Sequence, residues 1–268
     1  TSLQAQLSNV ETLVLCEQKI GNCAGDFFCW VRSAGMCNIN DDNRIIAEKI
    51  VQSDLVIYLT PVTFGGYSSA LKRMVDHQIQ NISPFFTTID GEIHHQPRYQ
   101  NYPDVLTIGW MDQPNAQSEA VFRQLVRRNA INMYASTSVT GLVNHEANLD
   151  NQIQSWLDEI KSASSSLVPA LSKAEISSAA ATPIRRAALL VGSPRAKKST
   201  SASLGGYLME QLNVRGVETE TIQIYTSFNS VERTRLALEK LDQADLIVLA
   251  FPLYVDSLPA PVIAALRE

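Results

Sequence analysis

The chain states one structural unit twice. Residues 48–61 read EKIVQSDLVIYLTP and residues 239–252 read EKLDQADLIVLAFP. At a constant offset of 191, six of the fourteen positions are identical, and several others exchange one aliphatic residue for another. Each copy reads as the end of a helix, an Asp (Asp54, Asp245), a buried strand and a Pro-led loop. Solenoid repeats recur every 20–50 residues or so; this period is far longer and marks two copies of a whole domain. With 268 residues there is room for two ordinary domains. We expect a first domain over 1–161, a Ser- and Ala-rich linker over 162–183, and a second domain over 184–268.

Strand and helix patterns alternate through both copies, which predicts α/β domains with parallel, doubly wound sheets. In the first, strands are expected at 10–15 (VETLVL), 54–60, 104–110 and 132–140. Helices are expected at 43–53, 69–80, 117–129 and 148–161. The run at 54–60 is continuously apolar, as in a strand buried on both faces. Residues 16–42 read as an irregular loop containing Cys and Gly. Residues 81–103 read as a long insertion with Phe85, Phe86, His94, His95, Tyr99 and Tyr102, of a length typical of lids and interfaces. In the second domain, strands are expected at 186–191, 217–225 and 245–251, with helices at 201–213 and 230–243.

The two copies differ in extent. A strand and a helix precede 217–225 in the second copy, and their counterparts in the first would lie before Thr1. The second copy stops at Glu268, inside the helix after its third strand. We therefore expect the first domain to lack its opening strand, the second to be truncated after its third, and the natural chain to extend at both ends.

A net charge of -5 gives no basic face for a nucleic-acid backbone, so no such partner is expected. The longest apolar stretch, Leu246 to Val255, is interrupted by Pro252 and is too short for a bilayer, so no membrane partner is expected. All four Cys (Cys16, Cys23, Cys29, Cys37) fall within the first forty residues, and all four His and three Trp before residue 157. Such clustering points to metal, redox or structural thiols in a reducing compartment, the cytoplasm, more than to disulfides.

Three segments carry candidate chemistry. Gly192-Ser193-Pro194-Arg195, followed by Ser199, Thr200 and Ser201, sits between a strand and a helix, where doubly wound folds bind phosphate. The plainer reading is an N-cap with surface hydroxyls. Pro61-Val62-Thr63-Phe64-Gly65 and its counterpart Pro252-Leu253-Tyr254 leave the carboxyl edge of a sheet, where a flat ligand is held, and Trp110 ends the next strand at that edge. Ordinary packing is the competing reading for these aromatics. Cys23, Cys29 and Cys37 are candidate metal ligands, but the paired spacing of a zinc site is absent, and a packing role competes. His94-His95 reads as an exposed lid feature.

Together, GSPRAKKST at 192–200, CNINDD at 37–42 and SDLVIYLTPVTFGGYSSALKRMVD at 53–76 resemble the flavodoxin-like NAD(P)H-dependent FMN reductases and iron–sulfur flavoproteins. The resemblance implies tandem flavodoxin-like sheets of strand order 2-1-3-4-5, non-covalent FMN, NAD(P)H as co-substrate and a small-molecule or protein electron acceptor. It implies that Ser193, Arg195, Ser199 and Thr200 meet the FMN phosphate, and that Pro61 to Gly65 and Pro252 to Tyr254 border the flavin. Iron–sulfur members carry a Cys three residues after the first of the loop; Asp26 stands there, which argues against a [4Fe–4S] cluster. No side chain stands out as an obligatory acid or base. A homodimer is compatible with this reading. The rival class is a non-catalytic module for pairing or electron transfer.

Overall fold

The structure, a computed structural model, describes residues 2–145, 148–163 and 183–268. By contact the chain divides into two units. Among the described residues, the first unit takes those up to 163 except Asn22–Asp26, and adds Val255–Ser257. The second takes Asn22–Asp26 and the rest of 183–268. Most of the expected linker falls outside the described residues.

In the first unit the elements run α1 (Ser2–Gln6), a 3-10 turn (Leu15–Glu17), α2 (Phe28–Val31), α3 (Asn43–Gln52), β1 (Leu55–Pro61) and α4 (Ser69–Val75). A second 3-10 turn (Gln78–Asn81), β2 (Ile82–Ile89), β3 (Glu92–Pro97), β4 (Asp104–Trp110), α5 (Ala116–Asn132), β5 (Ser138–Val143) and α6 (Leu149–Lys161) follow. The three long strands form a parallel sheet in the order β1-β4-β5. Alternation along the strands feeds two cores. One face packs Tyr58 and Val62 with Phe122, Leu125 and Val126 of α5 and with Leu71 and Val75 of α4. The other packs Leu106, Ile108 and Val139 with Ile153 and Leu157 of α6. The buried positions of each helix recur at three- and four-residue steps, so one stripe of each faces the sheet. The side chains of Asn115 and Asn148 cap α5 and α6 by accepting from the N–H groups of Ser118 and Asn151. On α4, Lys72 and Asp76 form an ion pair one helical turn apart, with both side chains buried.

Several expectations are corrected here. The strand at 10–15 does not form: residues 10–14 carry no regular structure, because Leu13 and Leu15 turn inward onto the helix-lined core instead of pairing. β1 is not buried on both faces, since Leu59 is 63% exposed and only Thr60 is buried. The helix expected over 69–80 stops at Val75. The insertion is no irregular lid: β2 and β3 pair as an antiparallel hairpin about Asp90-Gly91, whose φ values of 49° and 83° are those of a type I′ turn. His94 is not exposed: it is buried, with Nδ1 2.7 Å from Asn132 Oδ1 and Nε2 3.3 Å from Glu92 Oε2. The strand expected at 132–140 begins only at Ser138, because α5 runs on to Asn132.

The second unit contains β6 (Arg186–Val191), a 3-10 turn (Ala196–Lys198), α7 (Thr200–Val214), β7 (Glu218–Gln223), α8 (Ile224–Ser227), α9 (Val231–Leu241), β8 (Leu246–Ala250) and α10 (Ala260–Ala265). Its sheet is parallel, in the order β7-β6-β8. β6 is central and buried on both faces after its first residue. Ala187, Leu189 and Val191 meet Met209 of α7, while Leu190 meets Ile222, Ala237 and Val262 on the other face. The carboxylate of Asp245 ties the start of this strand, accepting from the N–H groups of Arg185 (2.8 Å) and Arg186 (2.9 Å). Those bonds, Arg186 first, hold its acid below the usual carboxylate range.

Adjacent glycines on α7 differ in their surroundings, and this gives a paired prediction. A Cβ on Gly205 would lie 2.7 Å from Leu189 Cδ1 and 3.2 Å from Ala250 Cβ, whereas one on Gly206 would meet nothing within 4 Å. Gly205→Ala is expected to destabilise by about 1–3 kcal/mol through overpacking. Gly206→Ala is expected to stabilise by about 0.5–1 kcal/mol through helix propensity. Urea unfolding of the two variants side by side checks the opposite signs. A second prediction concerns acid. Because the pKa of Asp245 is depressed in the folded protein, its contribution is present above the ordinary Asp value and is lost as pH falls through the folded one. Wild type should therefore melt above Asp245→Ala near neutrality, with the gap closing below about pH 4. Melting curves of both proteins across that range measure it.

Candidate functional site

The carboxyl end of β6 leads directly into the segment expected to hold phosphate. Gly192 N donates to Ala250 O at 2.8 Å, which keeps the ends of β6 and β8 in line. Ser193 and Ser199 are buried; Arg195, Lys197, Lys198 and Thr200 are exposed. The backbone turns through Ala196, whose φ is 46°, and closes with Ser199 N donating to Ala196 O at 3.1 Å. Ser199 then caps α7, its Oγ accepting from Ala202 N at 3.1 Å and donating to Ala196 O at 2.7 Å. That hydroxyl serves the loop's own structure, so the N-cap reading holds for Ser199. Among the described residues, the N–H groups of Thr200 and Ser201 in the first turn of α7 carry no hydrogen bond. With no acid in that turn, the positive end of a fifteen-residue helix and three cations face solvent together. Lys197 and Lys198 belong to this group although the strand–loop–helix reading did not single them out; their charge inside the loop was the available signal.

Pro252, Leu253 and Tyr254 leave β8 beside this loop. A side chain on Gly25, of the Asn22–Asp26 segment, would run into the Tyr254 hydroxyl and have its Cβ 3.8 Å from Pro194 Cγ. Tyr254 and the phosphate-type loop are therefore neighbours within the second unit. Leu253 is exposed.

The first unit brings together the other expected residues. Pro61 is in register with Trp110, and Val62 N donates to Trp110 O at 2.9 Å. Thr63 and Gly66 exchange both backbone hydrogen bonds at 2.9 Å around a two-residue turn. At its centre Phe64 and Gly65 have φ of 51° and 72°. The counterparts in the second copy, Val255 and Asp256, have φ of 44° and 59°. Both copies thus hold the left-handed conformation at two successive residues, an unfavourable arrangement for Phe and more so for β-branched Val. Phe64 is exposed and Trp110 is 40% exposed. The Trp110 ring meets His145 edge-on at 5.4 Å, and His145 Nε2 is 2.8 Å from Asp112 Oδ1. His145 and Asp112 reach this edge from different loops, so no local sequence pattern announces them.

Cys16 is exposed, Cys29 is buried on α2, Cys23 lies in the segment grouped with the second unit, and Cys37 lies beside His77. Among the described residues, no three His, Cys, Asp or Glu side chains are placed to hold a metal ion. None of the described helices is long and apolar enough to cross a membrane.

Comparison with known proteins fits this geometry. The chain is 35% identical over 66 residues to an iron–sulfur flavoprotein of Methanocaldococcus jannaschii, a match covering 25% of this chain and 33% of that relative. The chain thus spans about a third of the length of the curated relative it matches. No solved structure matches. The profile of a family described as NADPH-dependent FMN reductase matches residues 2–88 and 185–266. These two segments take in the repeated strand–loop unit in both copies and the loop between β6 and α7, and the chain belongs to the NADPH-dependent FMN reductase family.

Proposed function

We propose that the protein is an FMN-dependent NAD(P)H oxidoreductase, delivering electrons to a small-molecule or protein acceptor. The observation that carries this reading is the loop between β6 and α7. It offers a helix terminus, Arg195, Lys197, Lys198 and the hydroxyls of Ser193 and Thr200, all donors, with no acid in the first turn of the helix. That donor set fits a phosphate dianion such as the one FMN carries. The nearness of Tyr254 to Pro194 supports a role for Pro252 to Tyr254 at the flavin end of the same ligand. In the first unit, Pro61 to Gly65 and Trp110 offer the corresponding edge for a flat ring.

FMN, when bound there, would supply the two-electron chemistry between a nicotinamide and the acceptor. The chain's own work is to bind and orient. The cationic loop fixes the phosphate, and the Pro-led loops, with fixed φ and one N–H fewer, present a rigid border to the ring. The left-handed turns at Phe64-Gly65 and Val255-Asp256 are strain of the kind held at ligand-facing loops. Cysteines held as thiols support a reducing compartment such as the cytoplasm.

Two measurements test this reading. The purified protein should take up FMN with a visible flavin spectrum and oxidise NADPH with a quinone or ferric complex as acceptor. A colourless, inactive protein after reconstitution overturns the proposal in favour of a pairing module. Arg195→Ala should weaken FMN binding by about 1.5–3 kcal/mol, roughly 10- to 150-fold, if the guanidinium donates to the phosphate. Riboflavin, lacking that group, should bind both proteins alike. Fluorescence titration of the two flavins against the two proteins separates a phosphate contact from a general loss of structure.

A further inference from the structure

The cysteine loop carries a constellation outside the loops assigned to the flavin. Cys37 Sγ lies 3.3 Å from His77 Nδ1. The other ring nitrogen, Nε2, lies 2.9 Å from the carbonyl oxygen of Gly21. A carbonyl oxygen only accepts, so Nε2 carries the proton of the neutral ring and Nδ1 is left as an acceptor facing the thiol. The pair is held from several sides. Gln80, itself buried, accepts from Cys37 N through Oε1 at 2.9 Å and donates to His77 O through Nε2 at 3.2 Å. Arg44 Nε donates to Cys37 O at 2.9 Å. His77 is buried while Cys37 is half-exposed, so of the two residues it is the cysteine that solvent reaches.

A nucleophile in contact with a base, and a base oriented by a third group, is the arrangement of an activated thiol. We propose that Cys37, with His77 as its base and Gly21 O as the orienting group, reacts with low-molecular-weight disulfides to give a reversible mixed disulfide at Cys37. Sγ attacks one sulfur of the reagent; the new S–S bond forms as the reagent's own S–S bond breaks. The Cys37 proton passes to His77 Nδ1 and then to the departing thiolate. One thiol and one disulfide become one mixed disulfide and one thiol, with no other oxidant or reductant. Gln80 acts as a positioning residue. The proposal stands apart from the flavin reading, because none of its residues lies in the cationic loop or the Pro-led loops.

The exposed Cys16 is an internal control, since exposure alone would make it the faster thiol. Folded protein is treated with iodoacetamide, or with glutathione disulfide, and each cysteine is followed by mass spectrometry. Cys37 should react about tenfold faster than Cys16 despite its lower exposure, and the preference should vanish in urea. His77→Asn should bring Cys37 down to the rate of Cys16. If that variant does not fold, Gln80→Ala, which retains both Cys37 and His77 but not the bonds that align them, should lower the Cys37 rate while leaving Cys16 unchanged. A Cys37 rate at or below that of Cys16 in the folded wild type overturns the proposal. So does stoichiometric iron and sulfide with Cys37 protected from both reagents.

Discussion

The central strand of the second unit sets the rest in place. β6 is paired on both edges and packed on both faces, so its carboxyl end has almost no freedom. Everything proposed for phosphate recognition begins one residue later. The Gly192–Ala250 hydrogen bond carries that rigidity across to the loop after β8, and the close seating of α7 on Leu189 at Gly205 fixes where the helix begins. Backbone N–H groups recognise an anion well only if they need not reorganise to meet it. The tight sheet is what supplies that preorganisation.

Much of this was legible in the sequence because backbone chemistry speaks through residue type there. The buried run of β6, the Gly-Ser-Pro-Arg turn and the hydroxyl-rich helix start place the loop between strand and helix without further information. The repeated Asp-strand-Pro unit likewise places β1 and β8 in equivalent roles. The hairpin of β2 and β3 is equally written, in Asp90-Gly91 after a stretch rich in β-branched and aromatic residues.

What was not legible came from contacts remote in sequence. The end of α5 is closed by Tyr134 in the left-handed region, with Tyr134 N bonded to Ile131 O and Ala135 N to Ala130 O. This is a helix stop in which Tyr occupies the place usually given to Gly, so no glycine announces it. The segment 10–15 alternates like a strand, yet its leucines find a better partner in the helix-lined core. His77 looked like one more helical residue between α4 and the hairpin. Its meaning depends on Gly21 and Cys37, some forty or more positions away. Residues that act by convergence leave no local signature, and Asp112 with His145 repeats that lesson at the edge of β4.

The buried pair on α4 has an evolutionary consequence. With both side chains out of water, replacing either Lys72 or Asp76 alone would take the facing opposite charge from the one that remains, at a cost of about 3–5 kcal/mol, a large part of a domain's margin. Exchanging both for apolar residues at once would cost little. The two positions therefore form a ratchet: drift can cross to an uncharged core only by a double step. Homologous chains should show both charges or neither, with the mixed combinations depleted.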